Sequence, residues 1–257
     1  MKQSKEVIDS RRNKLLLILK EKKTLTVEEL AQEVKVSLPT LRRDLAYLSD
    51  KGLINRYHGG ANATDSRDLL SSRLKMKKDL IAKTAAGLIE NDEIIFMNSA
   101  ATGIRAIEYI EPSKYVSVIT NNGKALQLHT LPNVKLIITG GETRQPKSAM
   151  TGEFALNNVK RVQANKLIMG ASGFHIDEGI TTANIDEVAI NKAMIKGASE
   201  VILCVDSSKL NHVSAFISGA VEDVDILITD VEADPELIKE FKARGLKVIL
   251  VDIDQDL

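Results

Sequence analysis

Apolar residues recur along this chain in two registers, and the register changes near residue 80. Up to Leu48 they fall at helical spacing: Leu15, Ile18 and Leu19, then Val27, Leu30, Ala31 and Val34, then Leu41, Leu45 and Leu48. These three stripes predict three short amphipathic helices around one small core. Thr26 and Glu29 form a capping-box pair at the start of the second. Ser37 is placed to cap the third, and Pro39 is tolerated in its first turn, where backbone N–H groups have no intrahelical acceptor. Gly52 is positioned to end that helix. Leu53, Asn55 and Tyr57 then alternate with Ile54, Arg56 and His58 before Gly59-Gly60, as in a short strand entering a hairpin. Two helices joined by a tight turn, with a third helix to close the core and a hairpin behind, make a winged helix-turn-helix.

Beyond residue 79 continuous apolar runs alternate with amphipathic stretches. The strands predicted are IIFM (94–97), VSVIT (116–120), KLIIT (135–139), KLIMG (166–170), VILCV (201–205), DILIT (225–229) and KVILV (247–251). Helices are expected over 80–90, 103–110, 124–130, 151–163, 185–198 and 235–244. Uninterrupted apolar strands separated by helices imply an α/β domain whose mostly parallel sheet is covered on both faces. The expected organisation is a head over 1–62, a polar linker over 63–79 that grades into a helix, and a body over 80–257.

A formal net charge of zero hides an asymmetry. Residues 1–60 hold thirteen Lys+Arg against eight Asp+Glu, and residues 61–257 hold twenty-two against twenty-seven. A basic head attracts a phosphate backbone, and an acidic body is held away from it. Opposite the Leu41/Leu45/Leu48 stripe, the third helix presents Thr40, Arg42, Arg43 and Tyr47, with Ser37 and Pro39 at its start. Arg56 and His58 sit on the wing. These donors suit base edges and phosphates of double-stranded DNA. An arginine pair on a helix is ordinarily just a solvated face, but the charge asymmetry argues for DNA contact.

In the body, nearly every strand runs into small, polar or glycine residues at its C-terminal end. These are Asn98-Ser99-Ala100-Ala101-Thr102, Thr120-Asn121-Asn122, Gly140-Gly141-Glu142, Gly170-Ala171-Ser172-Gly173, Asp206-Ser207-Ser208-Lys209 and Thr229-Asp230. Open α/β sheets bind ligands outside the carboxyl ends of their strands, and helix N-termini that follow favour anions. Lys209 adds a cation, and Asp206 an acceptor for hydroxyls, so the set suits a small phosphorylated polyol. Neither GxGxxG nor GxxxxGK[ST] occurs, and the four histidines lack metal-ligand spacing. No cofactor, metal or nucleophilic triad is expected. Cys204, in VILCV, reads as a buried structural thiol. With no signal-peptide core and no apolar run of membrane-spanning length, a cytoplasmic protein is expected.

The run from Arg11 to Ala61 resembles the N-terminal region of the DeoR family of bacterial transcriptional repressors, with LRRDL and YHGGA as its specific parts. The body is similar to that family's effector domain, whose fold resembles ribose-5-phosphate isomerase and which senses phosphorylated sugars or related metabolites. Matching positions are Thr120-Asn121 for a TN turn, Gly140-Gly141 for a GG, Gly179 with Thr181-Thr182 for G-x-T-T, and Asp206-Ser207-Ser208-Lys209 for D-S-S-K. The departure is the first loop. Where the family usually shows Asp-x-Gly-Thr-Thr, this chain has Asn98, Ser99, Ala100, Ala101 and Thr102, and an altered ligand preference is expected. The resemblance implies a non-enzymatic repressor of a sugar or polyol operon, with operator DNA and a phosphorylated sugar as partners, acting as a homo-oligomer. The competing reading is an isomerase-like enzyme carrying a DNA-binding head, with Asp206 and Lys209 as acid/base candidates.

Overall fold

The computed structural model describes residues 5–22, 25–50, 53–57, 60–63, 66–128, 131–144 and 148–253. They fall into two compact units, Met1–Lys75 and Met76–Leu257. In the first, α1 (Lys5–Lys22), α2 (Val27–Glu33) and α3 (Leu38–Asp50) enclose Leu15, Leu19, Leu30, Leu41, Leu45 and Leu48, all of them fully buried. The capping box forms: Glu29 N donates to Thr26 Oγ1 at 3.2 Å, and Thr26 N donates to Glu29 Oε2 at 2.8 Å. Strands β2 (Ile54–Tyr57) and β3 (Gly60–Ala63) make the expected hairpin. A two-residue strand, β1 (Leu25–Thr26), pairs with β3, giving the order β1-β3-β2. It is too short to leave an alternating pattern in the sequence. Gly52, His58 and Gly59 lie outside the described residues.

Helix α4 (Ser66–Gly87) runs from the last residues of the first unit into the second, so the segment expected as linker is helical from Ser66. The strands that follow are β4 (Ile94–Met97), β5 (Val116–Thr120), β6 (Val134–Ile138), β7 (Glu142–Arg144), β8 (Ala149–Thr151) and β9 (Ala164–Met169). After them come β10 (Gly173–His175), β11 (Gly179–Thr182), β12 (Ala198–Cys204), β13 (Phe216–Gly219), β14 (Ile226–Asp230) and β15 (Lys247–Val251). The helices are α5 (Ala101–Ile104), α6 (Gly152–Val159), α7 (Ile185–Lys196) and α8 (Pro235–Ala243). Seven strands form one parallel sheet, in the order β15-β14-β12-β9-β4-β5-β6. Alternate residues supply its two faces. Ile95, Met97, Val118, Ile168 and Ile202 pack with Ile81 and Ala85 of α4 and with Ile89 just after it. Phe96, Leu167, Leu203 and Leu227 pack with Ala155 of α6, Ile190 of α7 and Phe241 of α8.

Two sequence expectations are corrected. The helices expected over 103–110 and 124–130 are instead short α5 followed by a 3-10 turn over Arg105–Tyr109, and a 3-10 turn over Gly123–Gln127. The antiparallel pieces β7-β8 and β10-β11-β13 add to the parallel sheet. Their strands have three or four residues, too few for period-two alternation to register. One signal was present: Gly179, at φ +69°, follows Ile176-Asp177-Glu178 as the left-handed residue of a three-residue hairpin loop. A Cβ there would also lie 2.3 Å from Gly219 O.

The head holds α3 by a charge cluster. Arg11 Nε meets Asp44 Oδ2 at 2.7 Å and Arg12 Nε meets Asp44 Oδ1 at 3.0 Å, with the Asp44 carboxylate only 2% exposed. The Arg12 guanidinium also lies 3.6 Å from the centre of the Tyr47 ring, a cation–π contact. Two arginines of α1 thus fix the position of α3. Asp44→Asn removes the charge both were holding and should destabilise the head by about 3 kcal/mol. Faster hydrogen exchange of the Leu38–Asp50 amides in the full chain is the expected result; unchanged exchange would show the cluster to be energetically silent.

Candidate functional site

In chain order the sheet starts at β4, grows to β5 and β6 on one side, then crosses back to lay β9, β12, β14 and β15 on the other. Connections leaving β4 and β9 therefore diverge, and a crevice opens beyond their carboxyl ends. A cleft of about 430 Å³ lies there. Its walls include the whole Asn98–Thr102 loop, Gly170 to Ser172, Thr181 and Thr182, and Asp206 and Lys209.

Asn98 closes the bottom of this crevice. Its Nδ2 donates to Gly170 O at 2.9 Å and to Asn191 Oδ1 at 3.3 Å. Its Oδ1 accepts from Gly170 N at 3.1 Å and from Ala100 N at 3.2 Å. Both donors and both lone pairs of the amide are therefore used. Asn98, expected at the effector site, lines the cleft, and its amide joins the β4 and β9 loops. Ala100 faces Gly170, where an added Cβ would come within 2.7 Å of the Ala100 methyl. The alanine of one loop requires the glycine of the other.

The other expected positions divide. Ser99, Ala100, Ala101, Thr102, Thr181, Asp206 and Lys209 line the cleft; Thr120, Asn121, Gly140, Gly141 and Gly179 do not. Thr120 and Asn121 are fully buried, and Asn121 Nδ2 donates to Met150 O at 3.0 Å, anchoring β8. Gly141, at φ +115°, lets the chain pass Thr151 O, which a Cβ would approach to 2.5 Å. Gly179 shapes the β10-β11 hairpin described above. These residues build the walls from behind. Asp206 accepts from Ser208 N at 3.2 Å and from Ser208 Oγ, which caps the Ser207–Lys209 turn. The Asn122 amide, next to the TN pair, reaches Ser99 O at 3.0 Å and steadies the first loop.

Sequence reasoning missed Lys78, Arg105, Lys124, Glu187 and Asn191, all in the cleft wall. Glu187 accepts from Thr182 Oγ1 at 2.7 Å, and Arg105 pairs with Asp79 at 2.5 Å. Lys78, Lys124 and Lys209 have no ion-pair partner among the described residues. Lys78 and Lys124 carried no local signal, because one lies in the polar segment read as linker and the other in a turn read as helix.

Behind Lys209 lies a buried ion pair. Lys77 Nζ is 2.8 Å from Asp230 Oδ1 and 2.6 Å from Glu232 Oε2. Asp230 also accepts from Ser207 N at 2.7 Å and from Ser207 Oγ at 2.9 Å. Burial alone pushes the Asp230 pKa up, but the Lys77 ammonium and the two Ser207 donors outweigh it and hold the carboxyl below its ordinary value. Burial alone lowers the Lys77 pKa, and the bonds and charges of Asp230 and Glu232 reverse that, leaving it raised. The turn that carries Lys209 is thereby tied to α4. Cys204, fully buried at the cleft floor, has its thiol pushed up to about 12 by desolvation and is inert at neutral pH.

On the head, Arg42, Arg43, Tyr47 and Arg56 are exposed, as are Ser37 and Pro39, whereas Thr40 is half-buried. Ser37 Oγ and Thr40 Oγ1 lie 2.9 Å apart across the first turn of α3. Residues 11–67 match the DeoR-like helix-turn-helix domain and residues 74–231 the DeoR C terminal sensor domain. The chain belongs to the DeoR family. It is a DNA-binding transcriptional regulator with an N-terminal reading head and a C-terminal sensor. The HTH-type transcriptional regulator GolR of Listeria innocua is 29% identical over 94% of this chain and 98% of its own length. The lactose phosphotransferase system repressor of Lactococcus lactis is 32% identical over 90% and 94%. Among solved structures, ribose 5-phosphate isomerase A from Methanocaldococcus jannaschii matches 53% of this chain and 54% of its own, with 17% identity and a TM-score of 0.39.

Two outcomes follow for this DeoR-family sensor. Asn98→Asp replaces two donors by acceptors facing Gly170 O and Asn191 Oδ1, and should lower stability by about 1–3 kcal/mol in urea unfolding of the full chain. Unchanged stability would mean that Asn191 turns to compensate. Lys77→Met strands a buried carboxylate and should cost about 3–5 kcal/mol. The lowered pKa of Asp230 means that its stabilisation is complete above the unfolded-state value and is lost as pH falls through the folded one. The raised pKa of Lys77 means that its share is complete below the unfolded-state value and is lost as pH rises through the folded one. The pair is intact at neutral pH, and the Lys77→Met protein should show a weaker acid-side fall in stability than the natural chain. Parallel acid limbs would refute the assignment.

Proposed function

We propose that the chain is a repressor of a bacterial sugar or polyol operon that leaves its operator when a phosphorylated sugar or related metabolite enters the cleft. The observation that carries this reading is the presence of Lys78, Lys124 and Lys209 on the cleft wall without acidic partners among the described residues. Charge-assisted bonds from ammonium groups to phosphate are strong and suit such a ligand. Family membership supports the operator, and the name of the Lactococcus lactis relative supports a sugar operon. Arg42 and Arg43 read base edges and phosphates, Tyr47 and Arg56 add contacts beside them, and Ser37, Pro39 and Thr40 set the start of the reading helix.

Release requires the ligand to discriminate between two states of the protein. Lys209 sits in the turn whose Ser207 binds Asp230, and Asp230 holds Lys77, two residues past the boundary between the units. A ligand drawn onto Lys209 acts on that series of contacts. Operators for helix-turn-helix proteins are paired half-sites, so the working form is a homo-oligomer in the cytoplasm. Binding rather than turnover is favoured because the Asp206 carboxylate, the candidate base, is committed to capping its own turn.

The test is a gel shift on the DNA flanking the chain's own gene, titrated with sugar phosphates. A retarded band that a sugar phosphate releases is expected. Arg42→Ala and Arg43→Ala should each weaken operator binding by about 1–3 kcal/mol while leaving the fold intact. Unchanged affinity in both variants would remove α3 as the reading element, and a complex indifferent to every phosphorylated sugar would remove the effector reading.

A further inference from the structure

The cations of the cleft are not gathered at one point. Lys209 follows β12 and Lys124 follows β5, and in the sheet β9 and β4 stand between those strands. Three inter-strand steps separate the ends of the strands that lead to the two lysines, about 14 Å at the usual strand spacing. Lys78, on α4, lines the cleft as well. The lining also offers the hydroxyls of Ser99, Ser172 and Thr182 and the Asn98 amide, whose bonds are all internal, beside Arg105, which is paired with Asp79. The two carboxylates of the wall are each occupied by hydroxyl donors, Glu187 by Thr182 and Asp206 by Ser208.

A ligand with one phosphate satisfies one end of such a cleft and leaves the other ammonium facing an uncharged group. Resting on the effector reading above, we propose that the preferred effector is anionic at both ends: a pentose or hexose bisphosphate, lying across the carboxyl ends of β12, β9, β4 and β5. Lys209 binds one phosphate and Lys124 the other, while the hydroxyls of the central wall meet the sugar hydroxyls. An extended sugar with a phosphate on each terminal carbon spans most of the inter-lysine gap, and the flexible lysine stems close the rest. The cleft volume of about 430 Å³ falls within the range of small-ligand sites.

The experiment is titration calorimetry on the full chain with fructose 1,6-bisphosphate and ribulose 1,5-bisphosphate, each against its monophosphates and against inorganic phosphate, at fixed salt. At least one bisphosphate should bind about tenfold or more tightly than its own monophosphates, since a second charge-assisted contact is gained. Lys124→Ala should erase that advantage, leaving each bisphosphate no tighter than its own monophosphates, and Lys124→Arg should restore most of it. Lys124 is an exposed turn residue, so unfolding does not obscure the result; unfolding curves of each variant check this. Equal affinity for bisphosphates and monophosphates, or an advantage that survives Lys124→Ala, overturns the two-ended site while the effector reading stands. Absence of binding by every phosphorylated compound overturns both.

Discussion

Every feature of the sensor depends on one reversal of strand order. A parallel sheet that grew in a single direction would run each strand-end loop the same way and leave no crevice between neighbours. Here β9 returns to lie beside β4 after β5 and β6 have been placed on the other side. The loops that follow β4 and β9 part at that point, and their backbone N–H and C=O groups lose the partners that a continuous ladder would provide. The Asn98 amide supplies a bridge, donating to Gly170 O and accepting from Gly170 N. It does in one side chain what a further rung of sheet would do, so the crevice keeps a rigid floor while its walls remain open.

Both units use a buried carboxylate held by basic side chains to position the element that meets a partner. In the head, Asp44 of α3 is gripped by Arg11 and Arg12 of α1; in the sensor, Asp230 at the end of β14 is gripped by Lys77 of α4 and in turn holds Ser207. The cost of stranding such a charge is large compared with the energy of an exposed pair, so these clusters fix geometry. The neighbouring cations do the opposite work. Arg42 and Arg43 stand in solvent on α3, and Lys78, Lys124 and Lys209 have no acidic partner among the described residues. In the proposed reading, structural charge is paired and buried, and recognition charge is left for the ligand to neutralise.

The head was legible almost residue by residue, because its helices are short, amphipathic and capped by local side chains: the Leu41/Leu45/Leu48 stripe and the Thr26–Glu29 box each need only a few residues to be seen. The seven parallel strands were legible because each is a continuous apolar run buried on both faces. What escaped notice was made by distance. Lys77 and Asp230 lie far apart in the chain, and nothing around either one announces the other. Asn191 looks like a polar residue within α7 until the fold places it under Asn98. Glycines posed the opposite difficulty. Gly140-Gly141 and Gly179 give a strong signal that suggests ligand chemistry, whereas all three have positive φ angles and Gly141 and Gly179 are passed closely by backbone, which gives them a role in shaping the chain.

The first loop shows why a departure from a family pattern must be judged with its neighbours. A loop released from binding accumulates changes one at a time, and buried polar groups are then left without partners, at about 1–3 kcal/mol each. The Asn98 loop has none of that character. Its new amide meets four partners, one of them Asn191 on a different helix, and the Ala100 methyl occupies the space that Gly170 provides. Ser99 is held from the far side by Asn122, which belongs to the loop after β5, the strand that leads to Lys124. The substitutions are thus integrated with three other loops or helices around the cleft. Such agreement among separate elements gives the loop a structural role at the floor of the cleft, and the cleft's unpaired cations, among the described residues, are the lysines on its walls.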